Sequence, residues 1–388
     1  MHHHEMTSYR CVIMRGGTSK GIFIKSSELP ESPQLRDKVI TAIFGSPDLR
    51  QIDGLGGADT LTSKLAIIGP STHPDADIDY TFGQVSITAD FVDYKGNCGN
   101  ISSAVGPFAI DEGLVKAVEP VTKVRIHLTN SGNILVAEVP VRHGRACVEG
   151  DLVIDGCPGS GARITLDWSD TAGAFTGKLL PTGNPVDTIQ VDGKAYEVSL
   201  VDCANPLVFI RAESLGLKGN ESAAAIDADK ELNATIEKIR SQAAVIFGLV
   251  DKPEDASARS PYNPFFSIVS APIDYTTPDG TLVHAEEVDI SSRLLFMLKM
   301  HKTHPGTGTV CLGVAARIPG TVVYDSLRAE AHKQGTIRIG HPSGIIPVES
   351  AVEEQDGNLH VKRGAIYRTA RRIMDGNVYV KNSVMDIQ

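Results

Sequence analysis

Two stretches constrain this chain more than any others: GNCGNISSAVG at 96–106 and GTGTVCLGVAA at 306–316. Each opens on glycine, asparagine or threonine, and each continues into residues too small and too apolar to show water a polar face. A helix of that kind has to be surrounded by other chain. Strand-like runs precede both, so the pattern predicts an α/β (α+β) protein of two like domains, each with a buried helix, and a cleft between them.

The surrounding runs fill in that plan. CVIMRGGTSKGIFI reads as strand, glycine loop, strand. SPQLRDKVITAIFGS reads as a helix with Ser32 as N-cap, Pro33 at its first position, Leu35, Val39, Ile40 and Ile43 on one face, and Gly45 at its end. A loop, DGLGGADTLTSK, leads into the apolar run LAIIG; DIDYTFGQVSITADFVDYKG reads as two strands, and short β-rich runs dominate 123–165. The Gly-, Pro- and Thr-rich stretch AGAFTGKLLPTGNPVDTI sets the domain boundary, giving 7–186 and 187–388. Beyond it come strands YEVSLVD and PLVFIRA, a long helical stretch over about 223–247, strands FFSIVSAP and TLVHAEEVDI, and a helix DISSRLLFMLKMHKTH capped by Asp289.

Charge and composition narrow the function. With 47 acidic against 37 basic side chains the net charge is −10, which argues against capture of nucleic acid or an anionic membrane. No apolar run reaches the ~20 residues of a membrane helix and no secretion signal opens the chain, so a cytoplasmic protein is expected. Cys11, Cys98, Cys147, Cys157, Cys203 and Cys311 form no CxxC pair, and reduced thiols are the default. His2, His3 and His4 read as a remnant of an expression tag or a disordered end rather than as metal ligands.

Within this frame a few residues could carry chemistry. A helix start leaves backbone N–H groups unpaired and carries partial positive charge. Cys98, at such a start, is open to two readings: a thiol eased toward thiolate for acid–base work, or a small buried residue in a glycine-shaped turn. RGGTSKG at 15–21 has the composition of an anion-binding loop and equally that of a plain hairpin turn, and it lacks the full phosphate-loop pattern. Lys64 interrupts an apolar strand and either snorkels to water or serves proton transfer. His301 with His304, and His73 with Asp75 and Asp77, complete no metal set, so no metal is expected. Arg368, Arg371 and Arg372 read as a solvated strand edge or an interface, and the common dinucleotide, serine hydrolase and zinc protease motifs are missing.

MRGGTSKGIF, DGLGGADTLTSKLAII, YKGNCGNISSAVGPFAIDEGLV and TGTVCLGVAARIPGT together resemble the 2-methylaconitate isomerase family, in order and over nearly the whole chain. That family includes isomerases of methylitaconate and methylaconitate and a tautomerase of oxalomesaconate; SPDLRQIDGLGGADTLTSKLAIIGPSTHPDADIDYTF is most similar to the first of these. Its deeper relation is to diaminopimelate epimerase, whose Cys-Gly-Asn helix start matches Cys98-Gly99-Asn100 and whose Gly-Asn-Pro turn has a partial counterpart in Ala204-Asn205-Pro206.

The resemblance implies two similar domains, each a β-sheet or barrel wrapped around a central helix, with the active site in the interdomain cleft. It implies a cofactor-free proton shift on a small unsaturated di- or tricarboxylate, with Lys64 and Cys98 as the catalytic pair. Gly17, Thr18, Ser19, Lys20, Ser63, Asn97, Gly99, Asn100 and Asn205, with Thr307, Gly308 and Thr309 from the second half, would hold the carboxylates. The expected partner is that small molecule, with no nucleic acid or membrane, and a homo-oligomer is open. Cys311 lacks the pattern of a second acid–base thiol, which makes a two-thiol amino-acid epimerase the alternative enzyme. A carboxylate-binding protein on the same scaffold is the alternative outside catalysis.

Overall fold

A computed structural model describes residues 5–94, 96–297 and 299–385. His2, His3 and His4 lie outside the described residues. The chain divides into two compact units, one formed by residues up to Leu166 together with those from Arg368 onward, the other by Asp167–Tyr367. The expected division at 187 gives the C-terminus to the second domain; the structure divides some twenty residues earlier and returns the last strand to the first unit.

In the first unit, β1 (Met6–Gly16) and β2 (Ser19–Lys25) form an antiparallel hairpin. The pairing of Gly16 with Ser19 leaves Gly17-Thr18 as a two-residue turn, and Gly17 takes the φ of +52° that such a turn needs. α1 (Pro33–Phe44) follows, with the Ser32 hydroxyl accepting from the Leu35 N–H and Gly45 closing it at φ +76°. β3 (Lys64–Pro70) lies parallel to β2 with Lys64 opposite Gly21, and β4 (Ile78–Val85) lies antiparallel to β3 with Gln84 opposite Lys64. β5 (Val92–Asp93) is a short strand before α2 (Gly99–Asp111), in which Gly99 and every residue from Ile101 to Ile110 is buried. β6 (Val121–Leu128) and β7 (Asn133–Arg142) pair with each other, and the C-terminal strand Ala370–Lys381 pairs antiparallel with β1.

Strand alternation sorts these side chains into two layers. Ile22, Ile24, Leu65, Ile67 and Val85 face α1 and make one core with its Val39, Ile40, Ile43 and Phe44. The opposite face covers α2, where the rings of Phe23 and Phe108 lie 5.6 Å apart. The first small-residue helix is therefore enclosed, as its composition requires.

The second unit has the same ingredients. Strands Lys194–Cys203 and Asn205–Arg211 pair antiparallel, the latter runs parallel to Phe265–Ser270, and that strand pairs antiparallel with Ile290–Phe296. The helix Gly306–Ala315 is buried at every residue. The helix Lys230–Ile246 packs Leu232, Ile236, Ile239 and Ala243 onto the sheet through Val198, Val208, Phe266 and Leu295.

Three sequence expectations are corrected or refined here. The run after Asp289 is not a helix but strands Ile290–Phe296 and Lys299–Met300. Its residues from Ile290 to Leu295 are all buried, so no alternation marks the strand. Asp289 caps no helix; it accepts from the Arg338 backbone N–H and guanidinium. The expected helical stretch is present as two helices, Ala223–Ala228 and Lys230–Ile246, the second started at Asp229, whose carboxylate accepts from the Leu232 N–H at 2.9 Å. TLVHAEEVDI contributes only Leu282–Val283 as strand before a 3₁₀ turn at Ala285–Glu287.

Candidate active site

The first turn of α2 collects the residues of interest. Cys98 is its N-cap, extended at φ −121° and ψ 103°, with no hydrogen bond from its side chain to the helix. The first bond of the helix runs from the Ser102 N–H to the Cys98 carbonyl at 2.9 Å, so the N–H groups of Gly99, Asn100 and Ile101 have no partner within the helix. The hairpin turn fits over this end because it carries no side chains there. A methyl on Gly16 would stand 2.4 Å from the Asn100 carbonyl oxygen, and one on Gly17 would stand 2.2 Å from Asn100 Oδ1.

Ser19, the cross-strand partner of Gly16, shares the α2-facing side of the hairpin. Ser19 is 3% exposed and its hydroxyl has no hydrogen-bond partner among the described residues, which leaves a donor at the helix start. On the same face Gly21 is the spacer between α2 and β3: a methyl there would meet Ile101 Cδ1 at 2.9 Å and the Lys64 carbonyl at 3.0 Å. Lys64 is buried at the start of β3, its Nζ donating to Gln84 Oε1 at 2.8 Å and lying 5.4 Å from the centre of the Phe82 ring. Gln84 is held in turn by its amide donating to the carbonyls of Ser63 at 2.9 Å and Thr60 at 3.2 Å.

Not every expected residue joins this cluster. Lys20 alternates to the other face, its Nζ near Gly57 and its N–H bonded to the Leu61 carbonyl. Ser63 is fully buried on the far side from Lys64, accepting from Gln51 Nε2 and donating to the Val85 carbonyl, both at 2.9 Å. Asn97 is buried and donates to Ser131 Oγ at 3.1 Å. Asn100 joins, donating to Thr18 Oγ1 at 2.9 Å and accepting from Arg368 Nε at 3.2 Å.

Arg368 is the residue the sequence reading missed. Expected at a solvated strand edge or an interface, it is buried beside α2. Burial pulls its guanidinium down to about 10, against which the charge of Cys98 acts to raise it. Nothing in YRTARRIM marks which of its three arginines turns inward, because β-strand Asn358–Arg368 ends and the next begins within that run. Gln84 was equally illegible, since only the pairing of β3 with β4 sets it opposite Lys64.

In the second unit, Asn205 Nδ2 donates to Thr307 Oγ1 at 2.8 Å, both buried. Thr309 Oγ1 donates to the Pro305 carbonyl at 2.9 Å and so receives His304 Nδ1 at 2.8 Å as a donor. Gly308 lets the helix approach Leu294, whose Cδ1 would be 2.6 Å from a methyl there. His304 is not on a helix with His301; it is buried, its Nε2 3.0 Å from Ser292 Oγ. The N-cap of Gly306–Ala315, the place Cys98 takes in α2, is Pro305. Cys311 lies a turn further on with its Sγ 3.5 Å from the Val201 carbonyl, and burial pushes its thiol well above the usual range. Cys203 is likewise pushed up by burial, to about 12. Among the described residues no three His, Cys, Asp or Glu side chains gather as a metal site.

A sheet folded over a buried small-residue helix in each unit defines the racemase and epimerase fold class. The solved probable proline racemase of Agrobacterium radiobacter K84 shares it at 14% identity, with a TM-score of 0.51 over 96% of this chain and 93% of that one. Within that class the chain belongs to the PrpF protein family, whose model matches residues 6–381. It is 55% identical to the 3-methylitaconate isomerase of Eubacterium barkeri, over 96% of this chain and 97% of that one. It is 39% identical to the 2-methyl-aconitate isomerase of Cupriavidus necator, over 95% and 96%. The crystal structure of a methylitaconate-delta-isomerase superposes with a TM-score of 0.90 at 54% identity, covering 99% of this chain and 98% of that one. The chain is an isomerase, and the expected family and fold class hold.

Proposed function

We propose that this isomerase moves a carbon–carbon double bond by a 1,3 proton shift without a cofactor, converting 3-methylitaconate to 2,3-dimethylmaleate. The observation that supports the reading is that β3, which begins at Lys64, and the first turn of α2, which Cys98 caps, approach each other across Gly21. The methylitaconate isomerases at 54–55% identity supply the substrate.

The chemistry is balanced within one molecule. Loss of the proton on the carbon beside one carboxylate gives a dienolate whose charge spreads over the allylic unit and into that carboxylate; return of a proton to the terminal methylene makes the new methyl group. Lys64 and Cys98 are the groups that take and return the proton. The orphan N–H groups of α2, the unpartnered Ser19 hydroxyl and the Asn100 amide lie where charge on a carboxylate would be met by donors. A two-thiol epimerase is disfavoured because Pro305, not a thiol, opens the second unit's helix, and Cys311 sits inside it.

Incubation in D₂O with 3-methylitaconate, followed by NMR, tests this. Deuterium in the newly formed methyl group is the expected outcome. Turnover of methylaconitate or oxalomesaconate alone reassigns the substrate within the family. Exchange at the α-carbon of an amino acid points to the epimerase, and binding of the acids without exchange points to a binding protein. Among the described residues no helix is long and apolar enough to cross a membrane.

A further inference from the structure

We infer that Arg368 is a positioning residue that fixes the direction of a three-member hydrogen-bond chain, Arg368 to Asn100 to Thr18, so that the Thr18 hydroxyl donates its proton outward to a substrate carboxylate. The inference rests on the carboxylate substrate class proposed above.

The direction follows from what each group is able to donate. A guanidinium has donors only, so the Asn100 atom 3.2 Å from Arg368 Nε is its Oδ1. That assignment turns Nδ2 toward Thr18, where it donates to Oγ1 at 2.9 Å. A hydroxyl that receives a proton there keeps its own proton for another acceptor, and Thr18 is half-buried at the tip of the hairpin over the start of α2. With any neutral, flippable group in place of Arg368 the amide has no fixed sense, and half its orientations turn the Thr18 proton inward.

Among the described residues, Arg15, Lys20 and Lys64 on the neighbouring strands do not set that direction. Arg15 on β1 is committed to the Gly17 carbonyl at 2.9 Å and to Thr369. Lys20 on β2 faces away, and Lys64 on β3 donates to Gln84. Arg368 also packs its Cδ against the turn, 3.2 Å from where a methyl on Gly17 would stand, so the same side chain supports the hairpin and orients the amide.

The test is dicarboxylate binding measured without turnover, by calorimetry with methylsuccinate, a saturated dicarboxylate with no allylic proton to move. Thr18→Val and Arg368→Gln are each expected to weaken binding about tenfold or more, the size of one hydrogen bond to a charged group. The double variant is expected to bind no worse than Thr18→Val alone. Arg368→Lys, which keeps a donor-only cation, is expected to recover most of the affinity.

Asn100→Asp supplies a variant that keeps the Arg368 contact but must accept from Thr18, turning its proton inward. It is expected to bind weakly, and adding Thr18→Val to it is expected to cost nothing further. Additive losses in the Arg368→Gln and Thr18→Val pair, or full affinity in Asn100→Asp, overturn the inference. Should Arg368→Gln not fold, the Asn100→Asp and Thr18→Val pair decides the question. Because the probe does not react, failure of Lys64 and Cys98 as proton carriers appears in the D₂O experiment and leaves this measurement unaffected.

Discussion

At the scale of single residues, proton transfer and its support can be separated by substitution. Cys98→Ser and Lys64→Ala are each expected to lose at least ~10² in rate while unfolding at the wild-type midpoint; turnover near wild type in either removes that residue from the mechanism. Gln84 is a sharper probe of how Lys64 is held. Its Oε1 faces Nζ because its amide nitrogen is spent on two carbonyls. Gln84→Met keeps the length and loses the acceptor, leaving the buried Lys64 Nζ without that bond, and kcat is expected to fall about tenfold or more with KM little changed. An unchanged kcat would mean that Lys64 needs no such support. Lys64 and Cys98 stand in quotable motifs, whereas Gln84 and Arg368 stand in runs where nothing distinguishes them from surface polar residues. The difference is physical: a helix N-cap is a local property of the chain, and a cross-strand neighbour is not.

At the scale of elements, the hairpin and α2 work as one piece because glycine allows them to touch. Gly16→Ala puts a methyl 2.4 Å from the Asn100 carbonyl, a backbone atom that moves only if the hairpin or the helix shifts. The expected cost is about 1–3 kcal/mol by urea titration, with activity reduced beyond what the lost stability explains. The break between Ala223–Ala228 and Lys230–Ile246 gives the opposite contrast. Asp229→Ala removes a cap and is expected to cost about 1 kcal/mol with kcat unchanged, because that helix packs on the outer side of its sheet. The two buried helices and α1 were legible in the sequence, since small-residue patterning, Ser32 and Gly45 are local signals. Ile290–Phe296 was not, because a strand buried on both faces carries neither period.

At the scale of the whole molecule, the first unit is closed by its most distant segment. The strand Ala370–Lys381 pairs with β1 along its length, Gly16 opposite Ala370 and Met6 opposite Lys381. A chain ending at Arg368 leaves that edge of β1 open and is expected to lose its cooperative unfolding transition by calorimetry. The same closure surrounds the buried side chain of Glu112, at the end of α2, with partly exposed cations: Arg372 at 2.7 Å, Lys25 at 3.0 Å and Arg10 at 3.2 Å. Burial works to raise the Glu112 carboxyl, but its hydrogen bonds to Arg372 and Lys25 and the nearby charges outweigh it and hold the group below its usual value.

A carboxyl depressed in the folded state binds fewer protons there than when unfolded. Its stabilisation is therefore complete above the ordinary glutamate range of about 4.3 and is lost as pH falls through the depressed value. Glu112→Gln is expected to be less stable than wild type at pH 7, with the gap closing as pH drops below about 4; urea midpoints at both ends of that range check it. A gap that stays constant with pH would assign the loss to packing alone.

The enclosed helices, the glycine loop between two strands at 15–21 and the thiol at a helix start are written in the amino-acid sequence alone, because each depends on the conformational preferences of a few consecutive residues. Which polar side chains share the face that covers α2 depends on contacts between distant segments. Strand register placed Gln84 and Ser19 and sent Lys20 and Ser63 to the other face, and the return of the C-terminal segment brought Arg368 to Asn100. Those choices belong to pairings between residues far apart in the chain, and a linear pattern carries no record of which strands will meet.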